Sequence, residues 1–356
     1  MRTILLTGGA GFVGSNLAIR LKNELAGQAR VVALDNLKRR GSELNLPRLL
    51  KAGVEYVHGD VRNLADLEAV GEVGVIIDCA AEPSVLSGFS GSPRYVVDTN
   101  LNGTTNCLEL ARRYHADFIF LSTSRVYPTT AINGLNFRET DTRFEWTDDQ
   151  KLPGASSRGL TEDFPLEGTR SLYGATKFCS ELLVREYLEM YGLRGVINRC
   201  GVISGPWQMG KADQGVVVLW LASHLYGRPL NYIGFGGTGK QMRDALHVDD
   251  LYELVRLQLN DPGLHSGQVY NVGGGPQNSF SLLELTEACA RITGKRVPVG
   301  WVTENRPADI RCYVTDNSKV FRAAGWAPKK SGEELLEETA RWIRDNQEAL
   351  RPILGS

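Results

Sequence analysis

The chain is predicted to form a Rossmann-type α/β fold, a doubly wound parallel sheet with a smaller, interleaved C-terminal α/β substrate lobe. Three observations point there. Short β-branched runs alternate with helical patterns through the first third of the 356 residues. A glycine-rich turn lies between the first strand and the first helix, and the same alternation resumes near residue 171. Strands that alternate with helices are joined by crossovers, and crossovers build parallel sheets.

Composition excludes several classes. With 42% hydrophobic and 23% charged residues, the chain is an ordinary globular sequence. Forty basic against forty-one acidic residues leave no excess to attract nucleic acid or an anionic membrane. The longest apolar run, between Gly215 and Gly227, is broken by Ser223 and His224, well short of the roughly 18 residues of a membrane span. Six scattered cysteines without a C-x-x-C pair fit reduced thiols. A cytoplasmic protein without a metal site or a nucleic-acid or membrane partner is expected.

The first strand is read at 3–7 and runs into Thr7-Gly8-Gly9-Ala10-Gly11-Phe12-Val13-Gly14, which opens a helix at 12–25. Gly8, Gly11 and Gly14 have G-x-x-G-x-x-G spacing. Glycine is needed where the chain turns tightly, where backbone approaches a pyrophosphate and where helix packs on strand. The helix N-terminus, at Phe12 and Val13, offers amides and a favourable dipole to phosphates. A strand before and a helix after supply the context of a dinucleotide site.

The second strand, 30–34, ends at Asp35, with Asn36 next. A carboxylate there, about 20 residues beyond the glycines, accepts both ribose hydroxyls of NAD and repels the 2′-phosphate of NADP. NAD is therefore the expected cofactor, although Lys38, Arg39 and Arg40 follow closely. The third strand, 54–57, leads to Asp60-Val61, placed either to meet adenine or to cap the next helix at 63–70. The fourth, 73–78, delivers Ala80, Ala81, Glu82 and Ser84 beside the nicotinamide, and helix 95–114 carries Asn100 either on the cofactor side or packed inside the helix. For Glu82 a bond to neighbouring backbone competes with a role in proton transfer. The fifth strand, 117–121, closes in Ser122-Thr123-Ser124-Arg125-Val126-Tyr127.

Residues 128–170 form a long polar insertion with little periodicity, expected to be a lid or mobile loop. Helix 171–191 then places Tyr173 and Lys177 at i and i+4, on one face. A lysine ammonium beside a phenol favours the phenolate and lowers a pKa normally near ~10. A tyrosine so tuned can remove a proton from a sugar hydroxyl while hydride leaves for a nicotinamide. After a strand at 194–199 the rhythm changes. Residues 1–200 are read as the NAD-binding domain, with 201–356 as mainly the substrate lobe, closed by a helix at 332–347.

With these residues in place the chain resembles, over nearly its whole length, the extended short-chain dehydrogenase/reductase superfamily of nucleotide-sugar enzymes, the NAD-dependent epimerases and dehydratases. The resemblance implies a triad of Thr123, Tyr173 and Lys177. Dehydratases of this superfamily carry Asp-Glu where Ser124-Arg125 stand here. UDP-glucuronate decarboxylases have Glu in place of Arg125, and the 3,5-epimerase of GDP-mannose has Cys there. Epimerisation or net reduction is left.

A closer resemblance is to the CDP-paratose/CDP-tyvelose 2-epimerase branch. It is carried by the basic Arg125, Glu139-Thr140-Asp141-Thr142-Arg143, Asp213-Gln214-Gly215, Gly239-Lys240-Gln241-Met242-Arg243-Asp244 and Asn278-Ser279-Phe280-Ser281-Leu282-Leu283-Glu284-Leu285. It implies inversion at C2 of a CDP-linked hexose through a transient keto-sugar, with tightly bound NAD and a homodimer or homotetramer. Glu82, Ser84, Arg125, Gln214, Arg243 and Arg306 are the implied substrate contacts, the last two on the diphosphate. An internal Arg243–Asp244 ion pair is the plainer alternative for Arg243, and His247 is read as structural. A UDP-sugar 4-epimerase would use the same triad. A non-catalytic NAD(P)-sensing protein is the reading from another class.

Overall fold

The computed structural model describes residues 1–89, 91–210 and 215–355, so Gln214 lies outside the described residues. Seven strands form the main sheet: β1 (Arg2–Thr7), β2 (Ala29–Asp35), β3 (Glu55–His58), β4 (Val75–Asp78), β5 (Asp117–Thr123), β6 (Gly195–Cys200) and β7 (Val269–Val272). Their order is β7-β6-β5-β4-β1-β2-β3. β1 pairs in parallel with both β2 and β4. The chain therefore winds outward through β2 and β3 and returns to start again at β4. Ligands of open α/β sheets bind at such a reversal, outside the carboxyl ends of the strands. Those ends carry Thr7, Asp35, Asp78 and Thr123.

The central strands, such as Val75-Ile76-Ile77-Asp78, are continuous apolar runs because helices cover both faces of a parallel sheet. Leu5, Val32, Ile76, Phe118, Phe120, Val184 and Ile197 share one buried cluster. Three helices position the site: α1 (Phe12–Leu25), α2 (Gly103–Tyr114) and α3 (Leu172–Tyr191). The sequence predicts one regular helix over 95–114. The structure instead enters α2 through Arg94–Val97 and a π-helical turn at Asp98–Asn102.

The chain divides into two compact units. The first comprises Met1–Thr123, Leu172–Arg199 and Leu251–Tyr270. It holds α1–α3 and the main sheet, apart from Cys200 and the last two residues of β7. The second comprises Ser124–Ser171, Cys200–Asp250 and Asn271–Ser356. Its four-stranded sheet joins Val202–Ser204, Met242–His247, Ser279–Ser281 and Cys312–Tyr313. Helices Leu282–Thr293 and Gly332–Asp345 both begin with capping boxes, Ser281 with Glu284 and Ser331 with Glu334. The last predicted helix ends at Asp345, and a further helix, Gln347–Leu354, follows and buries Leu350 and Leu354.

The expectation of a structureless lid at 128–170 is corrected. This segment holds a helix at Thr129–Asn133 and two hairpins, Phe137–Glu139 with Phe144–Trp146 and Ala155–Ser156 with Gly159–Leu160. It is fastened to the rest of its unit by Phe144 N to Lys240 O at 2.9 Å and Leu160 N to Val314 O at 2.9 Å. Ion pairs join Arg143 to Glu284 and Lys240 to Glu139. Strands of two or three residues are too short to show a period, which is why the sequence looked irregular there.

Candidate active site

The glycine turn is built as its spacing requires. Gly8 has φ +60° and accepts the Gly11 amide at 3.0 Å. A Cβ on Gly14 would lie 2.3 Å from the Gly8 oxygen, and one on Gly8 would lie 2.9 Å from Ala80 Cα. A Cβ on Gly11 would meet nothing but the Gly8 carbonyl, so that side of the turn is an open cradle. α1 starts there with no side-chain cap and no acidic residue in its first turn. Its leading amides, at Phe12 and Val13, are thus left for an anion, and the cradle fits a dinucleotide pyrophosphate.

Asp35 accepts the amides of Ala10 at 3.1 Å and Leu37 at 2.8 Å, which fixes it beside the turn. Burial raises its pKa, against the pull of those amides. Asn36 donates to Asp60 at 2.8 Å. Arg62 grips the Asp60 carboxylate through Nε at 2.9 Å and Nη2 at 2.7 Å, holding it well below the usual carboxylate range. Asp60 is not the helix cap; Asn63 is, accepting from Ala65 N. Val61 buries its side chain in the core, and its carbonyl accepts from Asn106 at 2.8 Å.

At the end of β4, Asp78 accepts the hydroxyls of Thr7 at 2.6 Å and Thr104 at 2.8 Å. Thr7 in turn accepts the Ala80 amide at 3.2 Å, which places the Ala80-Ala81 backbone next to Gly8. Beyond it, Glu82 accepts the Ser84 amide at 3.2 Å, and Ser84 Oγ accepts the Leu86 amide at 3.2 Å. Both side chains shape their own loop, the backbone alternative raised for Glu82.

Asn100 takes the packing role that competes with a place on the cofactor side. It is fully buried. Its carboxamide accepts from Glu82 N at 2.7 Å and donates to Glu82 O at 3.2 Å and Thr176 Oγ1 at 3.1 Å. Its backbone carbonyl accepts from Ser180 at 3.0 Å. Asn100 is a clip between the Glu82 loop and α3.

Thr123 ends β5, buried, while α3 carries a half-buried Tyr173 and a buried Lys177 one turn later. The Lys177 ammonium stands 4.0 Å above the ring of Phe120, three residues before Thr123. The π face tolerates a cation in a dry setting.

Further along α3, Glu181 is fully buried and accepts from Ser122 at 2.5 Å and from Arg199 Nη2 at 2.7 Å. Thr176, Ser180 and Glu181 were missed from the sequence. The available signal was their spacing three, seven and eight residues after Tyr173, the inward face of the helix.

In the second unit, Arg125 donates to the Ala308 carbonyl at 3.2 Å. Arg243 pairs with Asp309 at 3.1 Å rather than with Asp244. Neighbours on a strand point to opposite faces. Asp244 instead takes the amides of Gly275 at 2.9 Å and Thr315 at 3.2 Å, and burial raises its pKa. Arg306 is half-buried. His247 accepts the Asp249 amide at Nδ1, 3.0 Å, and faces Glu338 at 3.1 Å through Nε2. Lys330 neutralises Glu338 in a close ion pair, so this cluster caps and braces a helix.

The comparisons agree with this architecture. The family model that matches residues 4–273 is that of the NAD dependent epimerase/dehydratase family. CDP-paratose 2-epimerase of Salmonella typhi is 30% identical over 357 residues, covering 95% of this chain and 98% of that protein. UDP-glucose 4-epimerase of Thermus thermophilus, solved with NAD, superposes with a TM-score of 0.75 at 28% identity, covering 96% of this chain and 99% of that one. dTDP-glucose 4,6-dehydratase of Bacillus anthracis str. Ames, also solved with NAD, gives 0.76 at 26%, covering 99% and 100%. NAD is the cofactor of this chain, and the chain belongs to the NAD dependent epimerase/dehydratase family.

Proposed function

We propose that this enzyme is a nucleotide-sugar epimerase that inverts C2 of a CDP-linked hexose by transient oxidation to a keto-sugar. The observation that carries this reading is the Ser124-Arg125 pair after Thr123. It lacks the acid and base that elimination of water requires, and Arg125 commits a donor to the Ala308 carbonyl. The similarity to a CDP-paratose 2-epimerase supports C2 and the cytidine nucleotide.

Bound NAD supplies a hydride acceptor that later returns the hydride. Tyr173 takes the proton of the C2 hydroxyl, and the buried Lys177 ammonium stabilises the phenolate that makes this possible. Thr123 hydrogen-bonds the same oxygen. Arg306 anchors the diphosphate while the keto-sugar turns over within the site. Arg243 assists less, because Asp309 and three carbonyls already hold its guanidinium. As the hydride returns to C2 from the other face, Tyr173 gives its proton back to the oxygen on that carbon.

Proton NMR of CDP-paratose incubated with purified protein and no added NAD tests the reading. Appearance of the H1–H2 coupling of the C2 epimer supports both the reaction and a retained cofactor. An unchanged spectrum, with NAD occupancy confirmed on the same sample, refutes it for that substrate. Turnover of UDP-sugars at C4 would then replace it.

A further inference from the structure

The segment from Arg306 to Arg311 in the second unit is held in an unusual way. Four successive carbonyls are taken by side chains from three separate elements. Arg125 donates to Ala308 O at 3.2 Å, Asn133 to Asp309 O at 2.9 Å, and Arg243 to both Ile310 O and, at 3.3 Å, Arg311 O. The turn is closed internally by Asp309 N to Arg306 O at 3.2 Å. Within it Ala308 adopts φ +54°, the left-handed region that a residue with a Cβ avoids. Such a conformation persists when its surroundings over-determine it. Asn133 and Arg243 grip the residues after Ala308, and Arg125 grips Ala308 itself.

We propose that Arg125 is a positioning residue, whose hold on the Ala308 carbonyl keeps the strained turn that presents Arg306 to the substrate's diphosphate. This rests on the reading of Arg306 given above. A carbonyl oxygen needs a donor opposite it, and guanidinium gives a directional, charge-assisted one. A glutamate, which the resemblance assigns to this position in decarboxylases and dehydratases, would set a carboxylate against the same oxygen. One side chain thereby removes the group for another chemistry and secures the turn for this one.

The test compares wild type, Arg125→Ala, Ala308→Gly and the double variant, all NAD-loaded, by calorimetric titration with CDP. Hydrogen–deuterium exchange of a peptide spanning residues 304–312 is followed in parallel. Arg125→Ala should weaken CDP about tenfold, the scale of one lost charge-assisted hydrogen bond. NAD content should not change, and exchange should rise in this peptide. Glycine tolerates positive φ without help, so Ala308→Gly in the Arg125→Ala background should restore most of the CDP affinity.

A direct contact between Arg125 and the ligand would leave the double variant as weak as Arg125→Ala, and that result overturns the proposal. So does unchanged exchange in the Arg125→Ala peptide. If wild type binds no CDP, the CDP-sugar reading fails, and the exchange comparison still decides whether Arg125 sets the turn. Should Arg125→Ala not fold, Arg125→Gln, which keeps one amide donor, should give an intermediate loss. Undiminished affinity with unchanged exchange in that variant also refutes the proposal.

Discussion

Glu181→Ala is the sharpest probe of how α3 is held. The Glu181 side chain is 0% and that of Arg199 2% exposed, so neither charge has water to fall back on. Arg199 reaches the carboxylate through Nε at 3.0 and 3.1 Å and Nη2 at 2.7 Å, and Ser122 adds a fourth hydrogen bond at 2.5 Å. Removing the carboxylate leaves a guanidinium uncompensated in the core, which costs about 3–5 kcal/mol. The orphaned Ser122 hydroxyl adds about 1 kcal/mol. That is a large share of the roughly 5–15 kcal/mol by which domains are stable. At the ~2 °C per kcal/mol expected of a large chain, the melting temperature should fall by about 8 °C or more. Calorimetry of the NAD-saturated protein reads this directly. The double variant Glu181→Leu/Arg199→Met, which replaces the pair by apolar side chains, should recover most of the loss. A single variant melting within about 2 °C of wild type, or a double variant no better than the single, would refute the reasoning.

Tyr173→Phe should lower turnover by at least about 100-fold while NAD stays bound, as measured by NMR turnover and cofactor content. Near-normal turnover would remove Tyr173 as the base. Gly14→Ala drives a methyl to 2.3 Å from the Gly8 oxygen and 2.8 Å from Gly9 Cα. It should cost about 1–3 kcal/mol in urea unfolding and release NAD from the purified protein. A variant that keeps both would show that the turn yields. The third concerns pH. Burial lowers the pKa of His247, which faces Asp249, Asp250, Glu338 and Lys330. The unfolded chain therefore binds the proton more readily than the folded one. This stabilising contribution is present above the unfolded value of about 6.5 and is lost as pH falls through the lower folded value. Urea midpoints should drop between pH 7.5 and 5, with a shallower slope in His247→Gln; identical slopes would exclude His247 as the source.

The nucleotide cradle was legible because its logic is local. Three glycines, one carboxylate and a Tyr/Lys pair at i and i+4 each announce themselves within a few residues. What the sequence withheld are choices of distant partners. Periodicity places Glu181 on the inward face of α3 but says nothing of Arg199 waiting there. Periodicity puts Asn100 inside its helix, but it does not name Glu82 and Thr176 as the partners of its carboxamide. For Arg243 the sequence offers a diphosphate or, as the plainer alternative, its neighbour Asp244; strand alternation turns it from Asp244, and it pairs with Asp309. The insertion at 128–170 hid two hairpins whose strands are shorter than the period that would reveal them.

The interleaving of the two units has a consequence for synthesis. The first unit needs Leu251–Tyr270, whose Gln268 carbonyl accepts from Ile197 at 3.0 Å and whose Gly267 amide donates to Gly195 at 2.8 Å. β1 to β5 can pair while the chain is still emerging from the ribosome, but the open side of β6 stays uncovered until residues 267–272 have been made. An unpaired parallel edge of that kind invites association with other nascent chains. The glycine turn, Asp35 and the Ala80-Ala81 backbone, by contrast, all lie within the first eighty-odd residues. Early capture of NAD would stabilise the growing sheet through the interval before its last strand arrives.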